Sequence, residues 1–136
     1  MQSSKTFHCH VVTPERPVLE CEARFVAFPS HDGEVGVLHS HAPLLHQMGI
    51  GLLRVETPDN KERAFFIDGG FAQMVDNKLT LLTQEAIEID RIDADEARVA
   101  LEDALAMPTT TEADFQARRK ALARARVQIR IKNAGS

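Results

Sequence analysis

Leu19-Glu20-Cys21-Glu22-Ala23-Arg24-Phe25-Val26-Ala27 is the stretch that decides the fold class, because an apolar residue occupies every second position with Glu20, Glu22 and Arg24 between. A period of two places the apolar side chains on one face of a β-strand and the charges on the other. Upstream, Phe7, Cys9 and Val11 share one face while Thr6, His8 and His10 share the opposite one. Downstream, Pro29 and Ser30-His31-Asp32-Gly33 interrupt the alternation and predict a turn. A short strand is expected over 34–38, with Gly36 where a side chain has no room, and a loop over 39–43. Further strands are expected over 49–56, 62–67, 71–75 and 79–83, separated by Pro58-Asp59-Asn60, Gly69-Gly70 and Asp76-Asn77. Short strands at roughly ten-residue spacing, with no helical pattern between them, predict an antiparallel β-sandwich over residues 1–88.

The period changes after Ile92. Asp93 is placed to cap a helix, with Glu96 reaching back to complete a capping box. Ala97, Leu101, Ala104 and Leu105 then fall on one helical face. Pro108 and Thr109-Thr110-Thr111 stop that helix, and Thr111 with Asp114 caps a second. The expectation is an antiparallel two-helix hairpin over 89–136, with helices at about 94–106 and 112–131. Phe115, Leu122 and Ile129 repeat every seven residues as an apolar seam, with Ala121 and Ala125 beside them. Such alanine-rich stripes pack closely but are too thin for a large core, so the hairpin's stability leans on what it docks against.

The chain of 136 residues has a net charge of -4, which argues against nucleic acid as the main partner of the whole. The average conceals an asymmetry: from residue 112 onward Arg118, Arg119, Lys120, Arg124, Arg126, Arg130 and Lys132 face only Glu112 and Asp114. With no acid beyond Asp114, this face cannot neutralise itself by i,i+4 pairing, and an acidic external partner is expected. One alternative is accordingly a β-sandwich adaptor that binds acidic partners through its basic last helix. A signal-peptide core is absent from Met1-Gln2-Ser3-Ser4-Lys5, and the expectation is a soluble, unprocessed chain.

Catalytic machinery is not expected. The sequence has no G-x-S-x-G elbow, no phosphate-binding P-loop and no dinucleotide-binding glycine pattern. His39, His41 and His46 are close in sequence, but His8 and His10 lie on the opposite strand face from Cys9, and no metal site is expected. Cys9 and Cys21 read as small buried hydrophobes. Gly49-Ile50-Gly51 reads as close backbone packing inside a strand rather than a phosphate cradle.

Gly33-Glu34-Val35-Gly36-Val37, His41-Ala42-Pro43-Leu44-Leu45 and Gly69-Gly70 before a strand together resemble the epsilon subunit of F-type ATP synthases. The resemblance covers nearly the whole chain and implies a non-catalytic rotor subunit of the central stalk. Such a subunit couples proton- or sodium-driven rotation of the c-ring to ATP synthesis in the alpha/beta catalytic head. Carried over by motif, it implies that His31, Asp32, Gly33 and Glu34 meet the c-ring and that His41, Ala42 and Pro43 lie against the gamma subunit. The hairpin is similar to the family's regulatory element, which either folds down on the sandwich or extends to inhibit ATP hydrolysis. It implies that Arg118, Arg119, Arg124, Arg126 and Arg130 contact acidic segments of the head. A bacterial member sits peripherally on the cytoplasmic face of the plasma membrane. Some members bind regulatory ATP through an I-D-x-x-R-A motif. Here the segment is Ile89-Asp90-Arg91-Ile92-Asp93-Ala94, with Asp93 in the arginine's place. Ile89, Asp90, Arg91 and Arg124 are the ATP candidates that the resemblance implies, with Arg98 as a substitute for the missing arginine, and the capping role of Asp93 is the expectation preferred.

Overall fold

A computed structural model describes residues 5–135, so the amino-terminal reading of Met1-Gln2-Ser3-Ser4 lies outside the described residues. The chain divides into two compact units, Met1–Glu88 and Ile89–Ser136.

The first unit contains β1 (Phe7–Val12), β2 (Pro17–Ala23), β3 (Phe25–Ser30), β4 (Gly33–Leu38), β5 (Leu44–Gln47), β6 (Ile50–Glu56), β7 (Glu62–Asp68), β8 (Phe71–Val75), β9 (Lys78–Leu82) and β10 (Ala86–Glu88). They form two five-stranded sheets, ordered β2-β1-β9-β8-β5 and β10-β7-β6-β3-β4. Every pairing is antiparallel except β1 with β9. The inward faces supply one core that includes Phe7, Cys9, Val26, Phe28, Leu53, Phe65, Met74 and Leu81. This is the expected sandwich.

Two expectations about its strands need correction. The run 19–27 is not one strand. β2 ends at Ala23 and β3 begins at Phe25, in the other sheet. Arg24 makes the corner: its N–H donates to the Glu56 carbonyl at 2.7 Å, and its guanidinium pairs with Glu56 at 2.8 Å and Asn60 at 2.7 Å. The inward set therefore slips by one residue, from Leu19, Cys21 and Ala23 to Val26 and Phe28. Pro29 does not make the turn either; it lies buried in β3, and the turn falls at His31 and Asp32. The β6 ladder has already ended at Ala27, so a missing N–H at Pro29 breaks no pairing on that side.

Close packing explains the strand glycines. A Cβ on Gly51 would stand 2.8 Å from Pro29 Cβ, and one on Gly36 would stand 3.0 Å from the Phe25 ring. Gly70 is held at φ +101°, where a Cβ would meet the Leu82 carbonyl oxygen at 1.8 Å. Only glycine allows the crossing from β7 to β8 there.

The second unit begins with a 3-10 turn at Ile89–Arg91, followed by α1 (Ala94–Leu105) and α2 (Glu112–Gly135). Thr111 and Asp114 cap α2 reciprocally, with N–H donors to Asp114 Oδ2 at 3.2 Å and to Thr111 Oγ1 at 3.0 Å. The expected seam is only partly buried: Leu122 and Ala125 are covered, whereas Phe115 at the hairpin tip is 54% exposed. Val127 and Ile131 are buried instead, and Leu105 on α1 is half exposed. No helix among the described residues is long and apolar enough to cross a membrane.

Candidate functional site

Three surfaces carry the residues singled out in the sequence. The first is the β3–β4 turn. His31 and Asp32 are exposed at its tip, and the Ser30 hydroxyl donates to the Gly33 carbonyl at 3.2 Å, closing the turn. Glu34 is occupied within the sheet, because it pairs with Arg54 at 3.0 Å. Arg54 also reaches Glu62 at 3.7 Å and lies 5.9 Å from the Phe25 ring centre. The Glu34 hydrogen bond raises the Arg54 pKa, partial burial opposes it, and the charges of Glu34, Glu62 and Glu56 add to the rise.

The second surface is the segment 39–43, which carries the chain from β4 in one sheet to β5 in the other. His41, Ala42 and Pro43 are exposed, and His41 Nδ1 lies 2.7 Å from the Ala42 carbonyl oxygen. Asn77 fastens this segment: its Oδ1 accepts from the Ser40 N–H at 2.7 Å, and its Nδ2 donates to the Thr6 carbonyl at 2.8 Å. Histidines 39, 41 and 46 do not converge. His39 meets Ser40, His41 meets Ala42, and His46 lies against Phe28. Among the described residues no cluster of ligating side chains is arranged to hold a metal ion.

Beside this segment, the sequence reading missed a feature. Leu45 (71% exposed), Phe71, Val75 and Leu82 project outward from β5, β8 and β9. Phe71 and Leu82 are register partners, and Leu45 lies opposite Gln73. An open cleft of about 330 Å³ adjoins them, lined by Val12, Pro14, Phe71 and Leu82 among others. The signal was present in the apolar doublets Leu44-Leu45 and Leu81-Leu82, which a half-solvated strand has no reason to carry.

The third surface is the hairpin. Arg119, Arg126 and Arg130 are exposed along one side of α2, as the spacing predicts. Arg118 is different: it is half-buried, and its Nη2 donates to the Leu105 carbonyl at 3.5 Å, at the end of α1. Arg124 is also half-buried and has an interaction partner. At the other end, Lys132 Nζ donates to the carbonyls of Ile89 at 3.1 Å and Asp90 at 3.5 Å. Asp93 is the N-cap of α1 and accepts from the N–H groups of Asp95 at 2.9 Å and Glu96 at 3.1 Å. The reciprocal bond from Glu96 is not formed among the described residues. Arg98 is paired with Asp95, and Arg91 is exposed. In the segment 89–94 the Asp93 carboxylate is thus committed to the start of α1, while the Ile89 and Asp90 carbonyls accept from Lys132.

The family described as ATP synthase, Delta/Epsilon chain, beta-sandwich domain matches residues 6–89. The ATP synthase epsilon chain of Rhodopirellula baltica is 46% identical over 125 residues, covering 92% of this chain and 97% of the relative. That of Desulfitobacterium hafniense is 40% identical over 129 residues, covering 95% and 96%. Among solved structures, a chain of the Euglena gracilis mitochondrial ATP synthase OSCP/F1/c-ring assembly matches with a TM-score of 0.81 at 26% identity, covering 93% of this chain and 81% of that one. A chain of the Tetrahymena thermophila mitochondrial ATP synthase central stalk and c-ring shares the fold, with a TM-score of 0.75 at 14% identity over 96% and 99% of the two chains. Matched by the family over residues 6–89 and by these relatives along nearly their whole length, the chain belongs to the epsilon chain family of ATP synthases.

Proposed function

We propose that this chain is a non-catalytic central-stalk subunit that couples ion-driven rotation of the c-ring to ATP synthesis in the catalytic head, and that its hairpin restrains ATP hydrolysis. The observation that carries the reading is the way exposed chemistry is divided among the three surfaces. An outward apolar patch of Leu45, Phe71, Val75 and Leu82 beside His41, Ala42 and Pro43 suits a permanent protein neighbour, assigned here to gamma. The exposed turn at His31, Asp32 and Gly33 suits polar registration on the c-ring, and Glu34 supports that turn through Arg54. Arg119, Arg126 and Arg130 suit an acidic surface of the alpha/beta head, each contact contributing little alone and the row contributing more together. Arg118, which donates to the Leu105 carbonyl, and the half-buried Arg124 stand beside this row as further candidates for the same contact. Attachment to the cytoplasmic face of the membrane is peripheral and runs through the complex.

The test is made in the assembled ATP synthase. Replacing Arg119, Arg126 and Arg130 together by alanine should raise ATP hydrolysis severalfold while ion-driven ATP synthesis is kept. Replacing Leu45 and Phe71 by aspartate should release the subunit from gamma. Unchanged hydrolysis in the triple variant removes the inhibitory role, and full retention of the aspartate variant on gamma removes the docking assignment.

A further inference from the structure

Cys9 and Cys21 are direct register partners on β1 and β2, so their side chains lie on the same face of the sheet. The neighbouring parallel pairing fixes what kind of partners they are. The His8 N–H donates to the Asn77 carbonyl at 3.1 Å and the Thr83 N–H donates to the Val12 carbonyl at 3.0 Å, so the even-numbered residues of β1 turn their backbone polar groups toward β9. The odd-numbered residues therefore turn theirs toward β2, and Cys9 with Cys21 is a hydrogen-bonded pair. Such pairs have Cα atoms about 5.5 Å apart, inside the range of about 4.4–6.8 Å that a disulfide bridges.

Their surroundings are unequal. Cys9 is fully buried in the core. Cys21 is half-buried and lines an open groove of about 430 Å³ together with Leu19, Thr57, Asp59, Lys61 and Arg63. We propose that Cys9 and Cys21 form a reversible redox pair, in which a hydroperoxide entering this groove oxidises Cys21 and Cys9 closes a cross-strand disulfide behind it. In the first step the Cys21 thiol is oxidised to a sulfenic acid, the peroxide O–O bond breaks, and the hydroperoxide is reduced to water or an alcohol. In the second, the Cys9 sulfur attacks the Cys21 sulfur, the S–S bond forms, the S–O bond breaks, and the oxygen leaves as water with the Cys9 proton.

The division of roles agrees with the electrostatics. Burial pushes the Cys9 thiol up to about 12, and the neighbouring Cys21 adds to this, so Cys9 does not start the reaction. Burial also raises the Cys21 thiol, but Arg63 opposes the shift. Oxidation is therefore slow near neutrality and accelerates with pH. Closing the bond draws the Cβ atoms together from about 5.5 Å to about 3.8 Å, which strains the disulfide and makes it easily reduced.

The test uses the purified full chain, whose only two cysteines are this pair, treated with hydrogen peroxide at about pH 8.5 and read by non-reducing intact mass. Expected is a monomer lighter by about 2 Da with neither thiol titratable after denaturation, both thiols being restored by millimolar glutathione. Cys9→Ser should instead hold a sulfenic acid on Cys21 that dimedone traps. Cys21→Ser, at the half-exposed position, should keep Cys9 reduced at least ~10-fold longer than Cys21 survives in the native chain. A native chain that keeps both thiols, one that carries an oxidised Cys21 beside a free Cys9, or one that forms only intermolecular disulfides overturns the proposal.

Discussion

The sandwich and the hairpin solve the burial problem in opposite ways. In the sandwich, Phe28, Phe65, Leu53 and Met74 from both sheets are essentially inaccessible, and strands distant in sequence enclose them. In the hairpin, the buried residues are alanines 97, 104 and 125 with Ile92, Leu122, Val127 and Ile131 and no aromatic ring, while Val99, Leu105 and Phe115 are half exposed. Small contacts between neighbouring helices can be broken and remade at modest cost, whereas a core of interdigitated aromatic and aliphatic side chains cannot. The difference suits one unit to carry load and the other to change partners.

That contrast can be broken first in the core. Phe65→Ala should destabilise the chain by about 3–5 kcal/mol in urea unfolding, whereas Leu122→Ala in the hairpin should cost about 2 kcal/mol. Equal losses would erase the distinction. Gly70→Ala should cost about 2–3 kcal/mol, because it adds a Cβ against the Leu82 carbonyl at a positive φ. Its effect belongs wholly to the sandwich, so hydrogen exchange in α1 and α2 should stay unchanged.

The buried thiol gives a pH test. Cys9 is pushed up to about 12, so above about pH 9 the unfolded chain releases a proton that the folded chain retains. Stability therefore falls as pH rises over that window, by at most about 1.4 kcal/mol per pH unit from this group. Cys9→Ala should flatten the slope relative to the native chain in unfolding curves recorded from pH 8 to 11. Within the hairpin, Asp93→Ala should cost about 1 kcal/mol and speed amide exchange in the first turn of α1. Millimolar ATP should leave the amide shifts of residues 89–94 unchanged, because the Asp93 carboxylate caps α1 and its negative charge repels a phosphate. The smallest effect is expected for Glu34→Gln, below about 1 kcal/mol, since the pair with Arg54 is half exposed.

Period-two alternation and turn residues made the sandwich legible in the sequence, and Asp93, Thr111 and Asp114 announced the helix starts through capping chemistry. The corner at Arg24 was hidden because no glycine or proline marks it. A tertiary contact to Glu56 and Asn60, remote in sequence, makes the bend and shifts the apolar phase by one residue. β5 and β10 are too short to show a period. At the candidate sites, exposure of Arg119, Arg126 and Arg130 followed from helical spacing. The employment of Arg118 and Lys132 on backbone carbonyls did not, since carbonyl positions carry no sequence signature. The outer apolar patch was written in residue doublets but could be assigned to a face only once the strand register was known.

Asn77 joins places that lie far apart along the chain, because one amide group holds both Ser40 and Thr6. A force applied to the exposed connection around His41 is thus shared at once with the first strand and with the β8–β9 turn, instead of being spent on bending a slack tether. The side chain works as a cross-brace that ties this corner to the residue preceding β1.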